Sequence, residues 1–137
     1  MYLYVKAVHV FAVVLLISGM LAMAFALRIL AIMPGDMAAR RFGEYLLRWD
    51  GLVTTPALAV VWMAGLTMAF GAGWTGSSWL LLKLVPAAFL TGMHLFQGSA
   101  LKRFLQSRRS IALYRRAPIA ILLAFAVVDW LAIAKPF

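Results

Sequence analysis

The chain contains no cysteine. This excludes disulfides, thiolate zinc sites, iron–sulfur clusters and a cysteine nucleophile. Acidic residues are scarce, with 4 Asp+Glu against 13 Lys+Arg, and only 2 histidines are present. Charged residues make up 12% of the 137 positions, about half the share usual in soluble domains. What fills the chain instead is apolar: 66% of residues are hydrophobic and the mean hydropathy is +0.97. The length suits one domain, and the composition makes lipid its main solvent. The formal charge of +9 would suggest nucleic acid in a soluble protein. In a membrane protein it reads first as a topology signal, because basic residues collect in cytoplasmic loops.

A membrane-spanning helix needs about 20 predominantly apolar residues. Four stretches meet this, at about 3–32, 52–70, 78–101 and 118–133. Pro34-Gly35-Asp36 ends the first and the Gly71–Ser78 turn separates the second from the third. The first stretch is too long for a cleavable signal peptide and shows no small-residue cleavage site. Residues 37–51 read as an amphipathic cytoplasmic helix, with Phe42, Tyr45, Leu46 and Trp49 towards the membrane, opposite Arg40, Arg41 and Glu44. The expected fold is all-α: a single membrane domain over 1–137, folded as an integral four-helix bundle.

Arg28, Arg40, Arg41 and Arg48 surround the first connection; Lys102, Arg103, Arg108, Arg109, Arg115 and Arg116 fill the third. Lys6, Lys83 and Lys135 are left for the opposite side. The positive-inside rule then places both termini on the outer, periplasmic face of a bacterial inner membrane. The basic loops also suit anionic lipid headgroups.

Ionisable groups at membrane depth are functional candidates by default. Here they are His9, Lys83, His94 and Asp129, with Lys6 and Arg28 near the ends of the first span. At about 1.5 Å per residue, His9, Lys83 and Asp129 all lie roughly 7–10 Å below the outer ends of their helices. His94 lies about 24 Å down. Lys83 and His94 are about three turns apart and share a face with Gln97. Each group also admits a purely structural role. His9 or His94 can bridge helices by one hydrogen bond, Lys83 can snorkel outward, and Asp129 can serve as its counter-ion. Two histidines without cysteine suit haem or a redox metal better than structural zinc. A single haem held by both is awkward, because their levels differ by about 15 Å; one axial histidine with another group opposite fits better.

The ordered motifs resemble the HemJ-type protoporphyrinogen IX oxidases, relatives of the copper-resistance D membrane proteins. Lys6-Ala7-Val8-His9 resembles the family's opening Lys-x-x-His, and Leu27-Arg28 the end of its Pro-Arg-Leu motif. Leu46-Leu47-Arg48 followed by Pro56 resembles the start of the second span. Trp79-Leu80-Leu81-Leu82-Lys83-Leu84 resembles its Trp-x-x-x-Lys-Leu, and Gly92-Met93-His94 its Gly-Tyr-His. Tyr114-Arg115, Pro118 and Lys135-Pro136-Phe137 extend the likeness to the end. Where the family carries Asn-Glu before the proline, this chain has Arg116-Ala117.

The resemblance implies a haem-b enzyme of haem synthesis. Such an enzyme takes six electrons and six protons from protoporphyrinogen IX and passes the electrons towards the quinone pool. It implies His9 as haem ligand and, with Lys83, as catalytic residue. Lys83 would contact a carboxylate of haem or substrate, His94 would be a second ligand or a proton carrier, and Arg28 a propionate clamp. The alternatives are a non-catalytic haem-binding or structural subunit of a respiratory or photosynthetic complex, and a copper-handling protein. Small-residue pairs such as Ala22/Ala26 and Ala88/Gly92 permit close packing within or between chains.

Overall fold

The computed structural model describes residues 1–33, 35–107 and 117–134. Arg108, Arg109, Tyr114, Arg115, Arg116 and the Lys135-Pro136-Phe137 ending therefore lie outside the described residues, as do the side chains of Pro118 and Asp129. Every described element is helical: α1 (Tyr2–Ile32), α2 (Met37–Trp49), α3 (Thr55–Gly71), α4 (Ser78–Ser107) and α5 (Ala117–Ala134). A π-turn, Asp50–Thr54, joins α2 to α3, and a single 3-10 turn, Trp74–Gly76, precedes α4. No strand occurs among the described residues.

Three helical runs are long and apolar enough to cross a membrane: Tyr2–Ile32, Met37–Gly71 and Ser78–Gln106. The 18 residues of α5 span about 27 Å, close to the roughly 30 Å hydrocarbon thickness. The outer surface carries large apolar side chains, among them Phe11 at 66% and Met63 at 65% exposure, while Gln97 (0%), Thr54 (1%) and His94 (2%) are buried. Apolar outside and polar inside is the distribution that lipid selects and water penalises.

α1 is the centre of the bundle and packs on α3, α2, α5 and α4. Its buried positions, Leu16, Met20, Met23, Leu27 and Leu30, recur at three- and four-residue intervals, which places them on one helix face. Leu101 and Phe104 from α4 and Ile121 from α5 complete the same core. At Gly19 α1 packs tightly on its neighbour: an added Cβ would overlap the Thr54 side chain in the π-turn.

Each boundary has a local cause. After α1, the Asp36 side chain caps α2 by accepting the Ala38 N–H at 2.9 Å, satisfying one of the orphan donors of a first turn. Pro56, in the first turn of α3, has no N–H, and in a regular α-helix its ring would crowd the Leu52 carbonyl. The backbone meets this with a π-turn, in which the Thr55 N–H reaches back to the Asp50 carbonyl. α3 ends where Gly73 adopts φ +69, a left-handed conformation that glycine enters without steric penalty. Ser77 opens α4, its hydroxyl accepting the Leu80 N–H at 3.4 Å.

Two boundaries differ from the sequence expectation. α4 runs to Ser107 rather than ending near Leu101, so Lys102 and Arg103 sit in the helix and not in the third connection. The reason is amphipathic: Leu101 and Phe104 stay buried while Lys102 and Arg103 face outward. α2 is continuous with α3 through the π-turn, making one helical run of 35 residues. Its bundle-facing stripe is Ala39 and Gly43, with Leu46 and Leu47 partly packed on the core, while Phe42, Tyr45 and Trp49 point out. Leu46 thus separates from the three aromatics it was grouped with.

The α1–π-turn approach gives a test. Gly19→Val should force apart a tight contact and destabilise the protein by about 1–3 kcal/mol, read as a lower melting temperature in detergent. Gly92→Ala, whose Cβ meets nothing within 4 Å, should melt as wild type does.

Candidate functional site

Polar groups inside the bundle gather at two levels. The first lies towards the N-terminus of α1 and the start of α4. A half-enclosed cavity of about 190 Å³ opens there, lined by His9, Trp62, Gly65, Met68, Trp79, Lys83 and Thr91 among apolar neighbours. The rise arithmetic anticipated that His9 and Lys83 share a level, and the fold brings both to this one cavity.

His9 is oriented by α3. Its Nδ1 lies 3.0 Å from the Val61 carbonyl oxygen. A carbonyl only accepts, so Nδ1 carries the hydrogen and the neutral ring keeps its lone pair on Nε2. Gly65 makes the room: an added Cβ would stand 3.2 Å from His9 Cε1. The other polar groups of the wall are tied to one another. Trp62 Nε1–H donates to Thr91 Oγ1 at 3.0 Å, and the Thr91 hydroxyl donates to the Ala87 carbonyl at 2.8 Å.

Lys83 is held by aromatic packing. Its Nζ lies 4.7 Å from the centroid of the Trp79 ring, within cation–π range. Trp79 meets Trp74 edge-on at 5.4 Å and 89°, and Trp74 meets Tyr2 edge-on at 6.5 Å and 86°. The ladder forms a roof over this end, of the kind that tryptophan and tyrosine build at membrane–water boundaries.

The second level is at the π-turn. His94 Nδ1 stands 3.6 Å from Asp50 Oδ1. Thr55 Oγ1 lies 3.3 Å from His94 Nε2 and donates to Asp50 Oδ2 at 3.5 Å. Asp50 rests against α4 at Gly98, where an added Cβ would lie 3.6 Å from Oδ2. Among the described residues, Asp50 Oδ1, Thr54 Oγ1, His94 Nδ1 and both amide atoms of Gln97 are buried without a hydrogen bond. Lys102 interacts with the Asp50 charge from the exposed face of α4.

The fold therefore divides the sequence candidates. His9 and Lys83 line the cavity; His94 does not, and belongs to the π-turn cluster instead. Arg28 is exposed near the far end of α1, about 28 Å along the helix from His9. Asp129 lies outside the described side chains. Among the described residues no three His, Asp or Glu side chains converge. Asp50 is the residue that sequence reading passed over. It stands at the end of an amphipathic stretch that looks interfacial, and only Pro56, six residues on, signals that the helix must bulge there.

Trp79→Leu removes both the cation–π contact and the edge stack with Trp74. It should destabilise the protein by about 1–3 kcal/mol, measured by thermal unfolding in detergent with tryptophan emission as the probe. No protein-family model, curated protein or solved structure matches the chain, so the family likeness rests on its motif residues alone.

Proposed function

We propose that the chain is a multi-pass haem-b protein of a bacterial inner membrane, with α1, α3, α4 and α5 as four spans, both termini outside, and His9 as the residue that would hold the haem. The observation that carries this reading is the His9 tautomer. A histidine whose Nδ1–H is fixed by a backbone carbonyl presents Nε2 as a lone pair, which is how ligating histidines are oriented. The surroundings suit a tetrapyrrole in kind: apolar walls, an indole, and a lysine at the edge for a carboxylate.

The cavity volume limits the fit. At about 190 Å³ it is smaller than the roughly 300–1,000 Å³ typical of sites that bury a drug-sized ligand. A cavity of this size does not hold a haem and a porphyrinogen together. Bound there, haem would supply one-electron chemistry. The protein's share is then to hold the iron through His9, keep Gly65 small so that the ring can sit, and anchor a carboxylate at Lys83. Arg28, at the other end of α1, is too distant to clamp the same group.

Within that class, the motif resemblance favours protoporphyrinogen IX oxidation, with electrons passed towards quinone. The small cavity favours a second reading: a haem-binding subunit that carries electrons without turning over a porphyrinogen, within a homo-oligomer or larger membrane complex. Porphyrinogen turnover by haem-loaded protein separates the two.

His9→Ala should abolish the reduced-minus-oxidised haem spectrum of the purified protein while insertion is unchanged. Gly65→Val, which displaces the ring, should weaken the spectrum strongly, and His94→Ala should leave it. Retention in His9→Ala would overturn the proposal. For orientation, a reporter active only outside the cytoplasm should be active when fused after Phe137; activity only in the cytoplasmic form would reverse the topology.

A further inference from the structure

The π-turn cluster has a hydrogen-bond polarity that can be read atom by atom. Thr55 has one hydroxyl hydrogen and donates it to Asp50 Oδ2 at 3.5 Å. With that hydrogen given to Asp50, the threonine oxygen accepts in its 3.3 Å contact with His94 Nε2, and Nε2 carries the ring hydrogen. The neutral ring then has its lone pair on Nδ1. That lone pair faces Asp50 Oδ1, also an acceptor, across 3.6 Å. Such a pair needs a proton or a metal ion between its atoms, and 3.6 Å is longer than the about 2.7–3.2 Å of an N–H···O hydrogen bond.

The separation identifies the kind of ion. Around a tetrahedral metal ion, with bonds of about 2.0–2.2 Å to nitrogen and oxygen, neighbouring donors stand about 3.3–3.6 Å apart. A water bridging the same two atoms by hydrogen bonds of about 2.8 Å would have to subtend roughly 80°, narrower than its own hydrogens allow. Calcium and magnesium take oxygen ligands, and an imidazole nitrogen argues against both. Mixed imidazole, carboxylate and neutral oxygen donors suit a divalent ion of the zinc kind.

Two further orphans flank the pair in sequence. Gln97 follows His94 by three residues on the same face of α4, and Thr54 is the last residue of the turn that Asp50 begins. Gln97 Oε1 and Thr54 Oγ1 are both buried and unbonded among the described residues. The Thr55 hydroxyl has the place of an outer-shell group: it receives the histidine N–H and orients the carboxylate, the arrangement that fixes metal ligands elsewhere. With only one histidine and one carboxylate as strong ligands, the affinity is that of an exchangeable site.

We infer that Asp50 Oδ1 and His94 Nδ1, supported by Gln97 and Thr54, form a binding site for a single divalent zinc-type ion at the π-turn, separate from the His9 cavity. The test uses chelator-stripped full-length protein in detergent, titrated with Zn²⁺. Wild type should take up one Zn²⁺ per chain with a rise in melting temperature. Asp50→Asn and His94→Gln should lose both, and Thr55→Val should bind about 10–100-fold more weakly. His9→Ala should bind as wild type does. X-ray absorption of the zinc-loaded wild type should show one imidazole among oxygen ligands, and it decides the matter even where a variant fails to fold. No uptake by wild type, uptake that persists in Asp50→Asn and His94→Gln, loss in His9→Ala, or a zinc spectrum without imidazole would each overturn the site.

Discussion

Pro56 has no amide hydrogen to give, and much of the bundle is arranged around that. An α-helix running through 37–71 would aim the proline ring at the Leu52 carbonyl. Inserting a π-turn from Asp50 to Thr54 relieves the clash and rotates the side chains before it relative to those after it. Asp50 is thereby brought against α4 beside His94 and Gly98, and Thr54 against Gly19 of α1. Such bulges, where side chains leave their ideal helical register, are frequent at functional sites. Gly19 is the complementary half of the device, because any side chain there would collide with the turn.

Lipid imposes the second constraint. In water a buried polar group can exchange its hydrogen bonds for others; in hydrocarbon an unpaired group has none to exchange. Four hydroxyl side chains within these helices obey this by bonding locally: Ser18 to Leu15, Thr67 to Met63, Thr91 to Ala87 and Ser99 to Leu95, each to a carbonyl in the preceding turn. His9 reaches a neighbouring helix instead. Asp50, His94, Gln97 and Thr54 depart from the pattern, each with a buried atom that has no hydrogen bond.

How legible this was in the sequence varies with the kind of information each feature needs. Long apolar runs give α1 and the body of α3 and α4 directly, because crossing lipid demands length and composition more than pattern. The same uniformity hides the faces. α1 is apolar all round, so its buried stripe of Leu16, Met20, Met23, Leu27 and Leu30 emerges only from packing. Charge misled at the end of α4, where Lys102 and Arg103 look like a loop although Leu101 and Phe104 keep the helix in the core. The common level of His9 and Lys83 followed from rise per residue alone. That His9 hydrogen-bonds Val61, or that Asp50 faces His94, needs the relative rotation of three helices, which no local pattern encodes.

The shared face of Lys83 and His94 shows what periodicity leaves open. Eleven residues return a helix almost to the same direction but carry it about 16 Å along its axis. Leu90 lies between them, with Leu16 and Leu58 across from it in the wall of the cavity, and all three belong to the buried core. One face of α4 thus serves two polar centres separated by an apolar layer. The cavity at His9 is bounded by aromatic rings and lies towards the end of the helices that carries Tyr2 and Trp74. The π-turn centre borders the opposite, arginine- and lysine-rich end. Groups this far apart, without shared hydrogen-bond partners, couple weakly. Substitution at one centre is therefore expected to leave the other unchanged, although α4 carries part of both.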